Sequence, residues 1–297
     1  MSLKDSLPFR AVRYGFRLPG LLYTRFVTQP QVDRWLKDSQ LDLYVHDPER
    51  GLLRPVTRSE RVKWTMREGL ACDAVHWLDR VEPLLSADDV VFDVGANIGT
   101  VANWFSERTS AVYAFEPHPD NLEVIKRQNE LRRTKNINLH SFALGRESET
   151  MQLHVKGFHG HHSLGDAANS PTVGKIDVEV KTIDGFCDEH GIARIDFLKI
   201  DVEGFEEDVL LGAAKILGSQ DIGVVLFEIR EAILDSVNRS AVSVFAPLLD
   251  SGYSVFDLNG HILCGEELVK PVDGDYLAAV DAEAVAKRLA DSELQFI

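Results

Sequence analysis

Residues 93–100 read Asp-Val-Gly-Ala-Asn-Ile-Gly-Thr and follow the apolar run Val90-Val91-Phe92. A strand that delivers an acidic residue into a turn with two glycines is a ligand-binding device. Gly95 permits a sharp turn with positive φ, while Gly99 removes a side chain where the next helix must pack close to the strand. Ala96 and Thr100 belong to the same turn and are expected with it among the ligand-binding residues. A dinucleotide fingerprint places a glycine in the middle of this turn, so that a pyrophosphate can approach the backbone. Asn97 stands there instead. The Gly-Lys-Ser/Thr of a phosphate-binding loop is also missing. The turn therefore suits a ligand without a pyrophosphate, with Asp93 able to receive an amino group.

A second acid, Glu116, closes the run Ala111–Phe115, about 20 residues further on, where a carboxylate can accept both hydroxyls of a ribose. Pro117 and Asn121 shape the helix entry beneath it. Amino-acid polarity at one strand end and a ribose diol at the next describe S-adenosylmethionine. A nicotinamide oxidoreductase is a competing reading, and Asn97 counts against it. A binding module that keeps the fold without turnover is another, against which Asp93, Glu116 and Asp201 stand together.

Methyl transfer from a sulfonium is an in-line displacement, so the protein mainly positions the acceptor and removes its proton. An alcohol needs a general base or a metal for this. The segment Leu-Lys-Ile-Asp-Val-Glu-Gly at 198–204 spaces Lys199, Asp201 and Glu203 by two, on one side of a strand. Glu228 ends the neighbouring apolar run. Two mechanisms follow. Asp201, Glu203 or His162 takes the hydroxyl proton, or Asp201 and Glu228 hold a divalent ion such as Mg²⁺ that acidifies the hydroxyl. The plain alternative is that these carboxylates cap helices or pair with Lys199 and Arg230. His159, His161 and His162 lie in a glycine-rich loop with no accompanying cysteine, which lacks the fixed geometry of a zinc site. That loop also reads as a polar lid.

These residues need a sheet to position them. From residue 86 onward, short β-rich runs alternate with helical patterns, the signature of a parallel sheet with crossover helices. Strands are expected at 90–94, 111–116, 137–143, 195–201 and 223–229, with helices near 99–108, 119–132, 205–217 and 239–251. Runs at 150–155 and 176–183 suggest an inserted β-pair, and 252–258 with 275–280 a closing antiparallel pair. Residues 1–85 read as a mainly helical N-terminal region serving as arm, lid or dimerisation element. Residues 86–297 form the ligand-binding domain.

Five stretches, "VVFDVGANIGTVA", "AFEPHPDNLEVIKRQ", "NINLHSFALG", "VEVKTIDGF" and "IDFLKIDVEGFEEDVLLGA", resemble in order the motifs of the FkbM-type S-adenosylmethionine-dependent methyltransferases. The likeness covers residues 88 to 260. It implies an α/β, Rossmann-like class I methyltransferase fold and O-methylation of sugar or polyketide-type natural-product hydroxyls, with N- or C-methylation as the alternative. It also implies that Asp93, Gly95, Asn97 and Gly99 surround the methionine end of the cofactor and Glu116 its ribose. Ser141, Phe142 and Ala143 become the adenine wall.

Composition sets the remaining expectations. Of 297 residues, 44% are hydrophobic and 27% charged, as in a globular protein with a sizeable core. The first 67 residues hold 13 lysines and arginines against 7 acids, and the remaining 230 hold 19 against 40. An acidic body argues against a nucleic-acid partner and points to a small-molecule or glycan acceptor. The basic, aromatic head leaves room for contact with an anionic surface or for a homodimer. No apolar run approaches the ~20 residues of a membrane span, and Arg10, Arg13 and Arg17 interrupt any apolar core of a signal sequence. Cys72, Cys187 and Cys264 lie far apart, so a reduced, cytoplasmic protein is expected.

Overall fold

The computed structural model describes residues 77–293, apart from 133–134, 157–160 and 168–170, and four strands before residue 77. The chain divides into two compact units, Met1–Asp73 and Ala74–Ile297. In the first, β1 (Phe16–Leu18) pairs antiparallel with β2 (Leu21–Tyr23), and β3 (Leu43–His46) with β4 (Leu53–Val56). The expectation of a mainly helical head is corrected for these residues, which are strands. The stretch expected to be most clearly helical, 57–76, lies outside the described residues.

The second unit opens with a helical turn, α1 (Leu78–Val81), and then builds the sheet. The strands are β5 (Val90–Val94), β6 (Ala111–Phe115), β7 (Ile137–His140), β11 (Ile195–Ile200), β12 (Ile222–Ile229), β13 (Ser254–Asp257) and β14 (Gly274–Ala279). Their order is β13-β14-β12-β11-β5-β6-β7, with β14 the strand that runs antiparallel to its neighbours. This is the Rossmann-like class I methyltransferase topology. β5 and β12 read as near-continuous apolar runs because both faces of a parallel sheet are covered.

The covering helices are α2 (Thr100–Ser106), α3 (Pro119–Arg132), α4 (Ile183–His190), α5 (Glu206–Leu211), α6 (Ala214–Gly218), α7 (Glu231–Ser236), α8 (Ala241–Asp250), α9 (Glu266–Val269) and α10 (Ala282–Glu293). Ring contacts show that both faces are used. Phe105 of α2 meets Phe197 of β11 at 5.4 Å, and Phe186 of α4 meets Phe92 of β5 at 5.7 Å. Phe92 is registered with Leu198, the neighbour of Phe197, so the two contacts fall on opposite faces.

The inserted pair is β9 (Glu149–Lys156) and β10 (Thr172–Lys181), joined by β8 (Ala143–Leu144) into a separate three-stranded sheet. The expected strand 137–143 is therefore two: β7 stays in the main sheet and β8 leaves it to pair in parallel with β10. The expected helix 205–217 also divides. A Cβ on Gly212 would lie 2.0 Å from the carbonyl oxygen of Gly145, so the absent side chain lets two backbones touch where α5 ends.

Candidate functional site

The chain runs outward from β5 to β6 and β7 on one side, and to β11 and β12 on the other. The crevice between β5 and β11, at the carboxyl ends of the strands, is where such sheets bind ligands. A cleft open to solvent occupies this place, about 540 Å³ when its open mouth is counted. The glycine turn is one wall. Gly95 (φ +75°) and Ala96 donate from their backbone N–H groups to Phe115 O at 3.1 and 3.0 Å, pinning the turn to β6. A Cβ on Gly95 would stand 1.9 Å from Asp201 O, so only glycine lets the turn press against the end of β11.

Glu116 is 5% exposed and lines the cleft from the end of β6. Its Oε2 accepts from Asn97 N at 2.8 Å and its Oε1 from His118 N at 2.8 Å. Burial pushes its carboxyl up to about 7, against the pull of these hydrogen bonds. The carboxyl, to which the Asn121 side chain also hydrogen-bonds, keeps lone-pair capacity for a ligand. Asn121, buried at the start of α3, donates to Asn97 Oδ1 at 3.4 Å and supports the turn from below.

β11 ends at Ile200, and Asp201 follows it as loop, with Glu203 (φ +57°) and Gly204 (φ +98°) in left-handed conformation. The even spacing of Lys199, Asp201 and Glu203 therefore does not persist as a strand face. Glu206 fastens this loop: its Oε1 accepts from Val202 N at 3.1 Å and Gly204 N at 3.2 Å. Asp201 and Glu203 both line the cleft.

The inserted segment closes over the opposite side. His154 and Ser163 form a backbone bridge, and Ser163 Oγ donates to Glu203 O at 2.7 Å. Lys156 N donates to His162 Nδ1 at 3.1 Å, so the proton of the neutral ring sits on Nε2. The Lys156 ammonium, 1% exposed, reaches Asp166 at 2.9 Å and donates to Ala167 O at 2.7 Å, tying down the far end of the loop. His162 meets the His118 ring at 4.3 Å. His159 lies outside the described residues.

Of the residues singled out in the sequence, Gly95, Asn97, Glu116, Pro117, Ala143, His162, Asp201 and Glu203 border this one cleft. The others are elsewhere. Asp93 is wholly buried and ion-paired with Lys199 at 3.1 Å. Ala96 is buried, and Gly99 and Thr100 begin α2. Ser141 is exposed, and Phe142 packs its ring on Phe115 at 5.7 Å, inside the core. Apolar lining comes instead from Phe115, Leu144, Leu153 and Leu164. Alternation along β9 was the signal available for Leu153.

The two carboxylates considered for a metal do not fit one. Arg230 holds Glu228 Oε1 through Nε at 2.9 Å and Nη2 at 2.8 Å, and Lys199 lies 3.5 Å from Asp201 Oδ2. Burial, followed by the charge of Asp201, raises Glu228 to about 7, against the pull of Arg230. Among the described residues no group of three His, Cys, Asp or Glu side chains is arranged to hold an ion. No helix among them is long and apolar enough to cross a membrane.

Residues 93–255, more than half of the chain and the whole span from the glycine turn to β13, match the family described as Methyltransferase FkbM domain. The chain belongs to the FkbM methyltransferase family. Among curated relatives of this FkbM protein, "Methyltransferase 1" of Beauveria bassiana is 28% identical over 147 residues, covering 42% of this chain and 58% of that one. "Hexuronic acid methyltransferase AglP" of Haloferax volcanii is 28% identical over 148 residues, covering 49% and 58%. "2-O-methyltransferase NoeI" of Sinorhizobium fredii is 24% identical over 151 residues, covering 46% and 62%. The chain thus spans about three-fifths of the length of the curated relatives it matches. A crystal structure of an FkbM methyltransferase from Methylobacillus flagellatus is 18% identical, covering 66% of this chain and 44% of that one, at a TM-score of 0.41.

Proposed function

We propose that this FkbM protein transfers a methyl group from S-adenosylmethionine to a hydroxyl oxygen of a sugar or natural-product acceptor. The observation that carries the reading is the meeting, in one cleft, of the buried acid Glu116 and the half-exposed acid Asp201, with the glycine turn between them. Glu116 has the lone pairs and the charge to take both hydroxyls of a ribose. Ala143, Leu144 and Leu153 offer an apolar slot for the adenine, and the backbone of Gly95 to Asn97 borders the methionine end. Asp93 is buried beneath that end, so its contribution is indirect, through Lys199.

The cofactor, when bound, supplies the electrophilic methyl group. Asp201 is placed to orient the acceptor hydroxyl and take its proton as the new C–O bond forms and the C–S bond breaks, so S-adenosylhomocysteine leaves neutral at sulfur. His162, with its proton on Nε2, is a donor to the acceptor rather than the base. Mg²⁺ has no part in this reading, because Glu228 and Asp201 are already engaged by Arg230 and Lys199. The names of two relatives, a hexuronic acid methyltransferase and a 2-O-methyltransferase, favour a sugar hydroxyl.

The test is a panel of sugars and glycosides incubated with trideuteromethyl-labelled S-adenosylmethionine, with and without EDTA. A labelled methyl ether in the product, made equally in both buffers, is the expected result. Label on nitrogen or carbon would overturn the O-methylation reading, and loss of turnover in EDTA with recovery in Mg²⁺ would overturn the metal-free one. Failure to bind S-adenosylhomocysteine at all would remove the enzyme reading.

A further inference from the structure

Lys199 and Asp93 are registered partners on the adjacent parallel strands β11 and β5, so their side chains share one face at the end of the sheet. Lys199 is 4% exposed, yet its ammonium, with three protons, stands among four acceptors, from the end of β5 with its turn and from the loop after β11. It reaches Asp93 Oδ1 at 3.1 Å and donates to Gly95 O at 2.8 Å and Val94 O at 3.3 Å, all on the turn side. On the other side it lies 3.5 Å from Asp201 Oδ2. Burial favours the neutral amine, but the carboxylates of Asp93 and Asp201 outweigh it and hold the lysine above its ordinary range, so it is charged. The same two loops also touch through their backbones, where Asp201 N donates to Val94 O at 3.1 Å.

We propose that Lys199 is a positioning residue whose ammonium ties the glycine turn to Asp201, so that the turn bordering the cofactor and the carboxylate facing the acceptor are set by one charge. Lys199 touches neither ligand. With Oδ2 of Asp201 turned toward the ammonium, the carboxylate has one orientation across the cleft, and the carbonyls of Val94 and Gly95 are held inward. Asp93 is one of two counter-charges beside the ammonium, Asp201 being the other, and the carbonyls of Val94 and Gly95 hold it as well. This inference rests on the proposed cofactor cleft, but it can fail separately.

The experiment is a double-mutant cycle read by calorimetry with S-adenosylhomocysteine, on the full chain. All four proteins carry Asp93→Asn, so that no buried carboxylate is stranded when the lysine is removed. The corners are D93N, D93N/K199M, D93N/D201N and D93N/K199M/D201N. If Lys199 acts through Asp201, K199M weakens binding about tenfold in the D93N protein and no more than about twofold when D201N is present. Equal losses in both backgrounds would mean ordinary packing and overturn the proposal. Amide hydrogen exchange on the cofactor-free proteins gives the second readout. Residues 95–97 and 201–204 are expected to exchange faster in D93N/K199M than in D93N, while β12 is unchanged. Unchanged exchange in both loops would also overturn it. If the unsubstituted chain takes no S-adenosylhomocysteine, the proposed function fails, and the exchange comparison alone decides whether the brace exists.

Discussion

Glu116 gives the sharpest prediction, because two independent effects meet on one carboxyl. In the free protein burial holds its pKa at about 7, so at neutral pH about half of the molecules carry the neutral acid. A ribose diol donates two hydrogen bonds, and these favour the carboxylate. Binding therefore selects the ionised form, and a proton is released when the acid was neutral. Cofactor affinity should be constant above about pH 8 and decline as the pH falls through 7, reaching about one-tenth of its plateau at pH 6. Glu116→Ala loses two charge-assisted hydrogen bonds, roughly 1–3 kcal/mol, or about fivefold to 150-fold in Kd. Glu116→Gln keeps the shape and the support of Asn97 N or His118 N but removes the titration. The assay is calorimetry with S-adenosylhomocysteine from pH 6 to 8, in two buffers of different ionisation enthalpy, which counts the protons released. Subtracting the glutamine variant removes any titration of the ligand itself. A pH profile that is the same in Glu116→Gln as in the unsubstituted protein would refute the reasoning, and so would an alanine variant of unchanged affinity.

Other residues of the cleft make further predictions. Asp201→Asn should lower turnover by about 10²-fold or more, as for a positioned proton acceptor, while cofactor affinity falls much less. Steady-state kinetics on the acceptor identified by the panel checks this, and a normal kcat would remove Asp201 from the mechanism. Gly95→Ala places a methyl group 1.9 Å from Asp201 O at a positive φ, and should cost more than about 2 kcal/mol of stability or cofactor binding. Chemical denaturation and calorimetry together should find that loss in one or the other. Glu206 has its carboxyl raised by burial to about 7 in the folded chain, above the unfolded value. Its contribution to stability is therefore fully present below about pH 4.5 and lost as the pH rises through 7, by about 3 kcal/mol in all. Glu206→Gln should remove this part of the decline, and a denaturation series between pH 5 and 8 with the same slope in both proteins would contradict it.

Where the sequence was legible, the physics was local. The strands expected at 90–94 and 195–201 are observed at Val90–Val94 and Ile195–Ile200, because a strand covered on both faces is mostly apolar, interrupted here by Asp93, Asp196 and Lys199. The inserted pair is also legible, from alternation and turn residues, as β9 and β10. The helix α4 was not anticipated, although its signals are present. Thr182 caps it, accepting from Gly185 N at 3.0 Å, and Gly191 ends it at φ +66°. The run Ile176–Ile183 alternates like a strand through that cap, so the expected strand overlaps the first residue of the helix. The amphipathic helix α10 had its pattern in Ala282, Val285 and Leu289, all buried.

At the site, chemistry that depends on residue type was visible and chemistry that depends on two chain segments meeting was not. An acid after each of three strands can be read one segment at a time. That Asp93 is buried against Lys199 requires the register between β5 and β11, which no single segment contains. The same holds for His162. The residue is visible in the sequence, but only the hydrogen bond from Lys156 N puts the proton of its neutral ring on Nε2. Phe142 shows the limit in reverse: carried over from a resemblance as an adenine wall, it is packed among Phe115, Phe186 and Lys181. The chain turns out of the main sheet at Ala143, and the apolar slot passes to the neighbours Ala143 and Leu144. A motif therefore carries the place in the fold, while the one-residue shifts that decide which side chain touches a ligand are set by strand pairing. Substituting Leu144 and Phe142 separately would separate cofactor affinity from stability at this point, with L144A expected to weaken S-adenosylhomocysteine binding more than F142A.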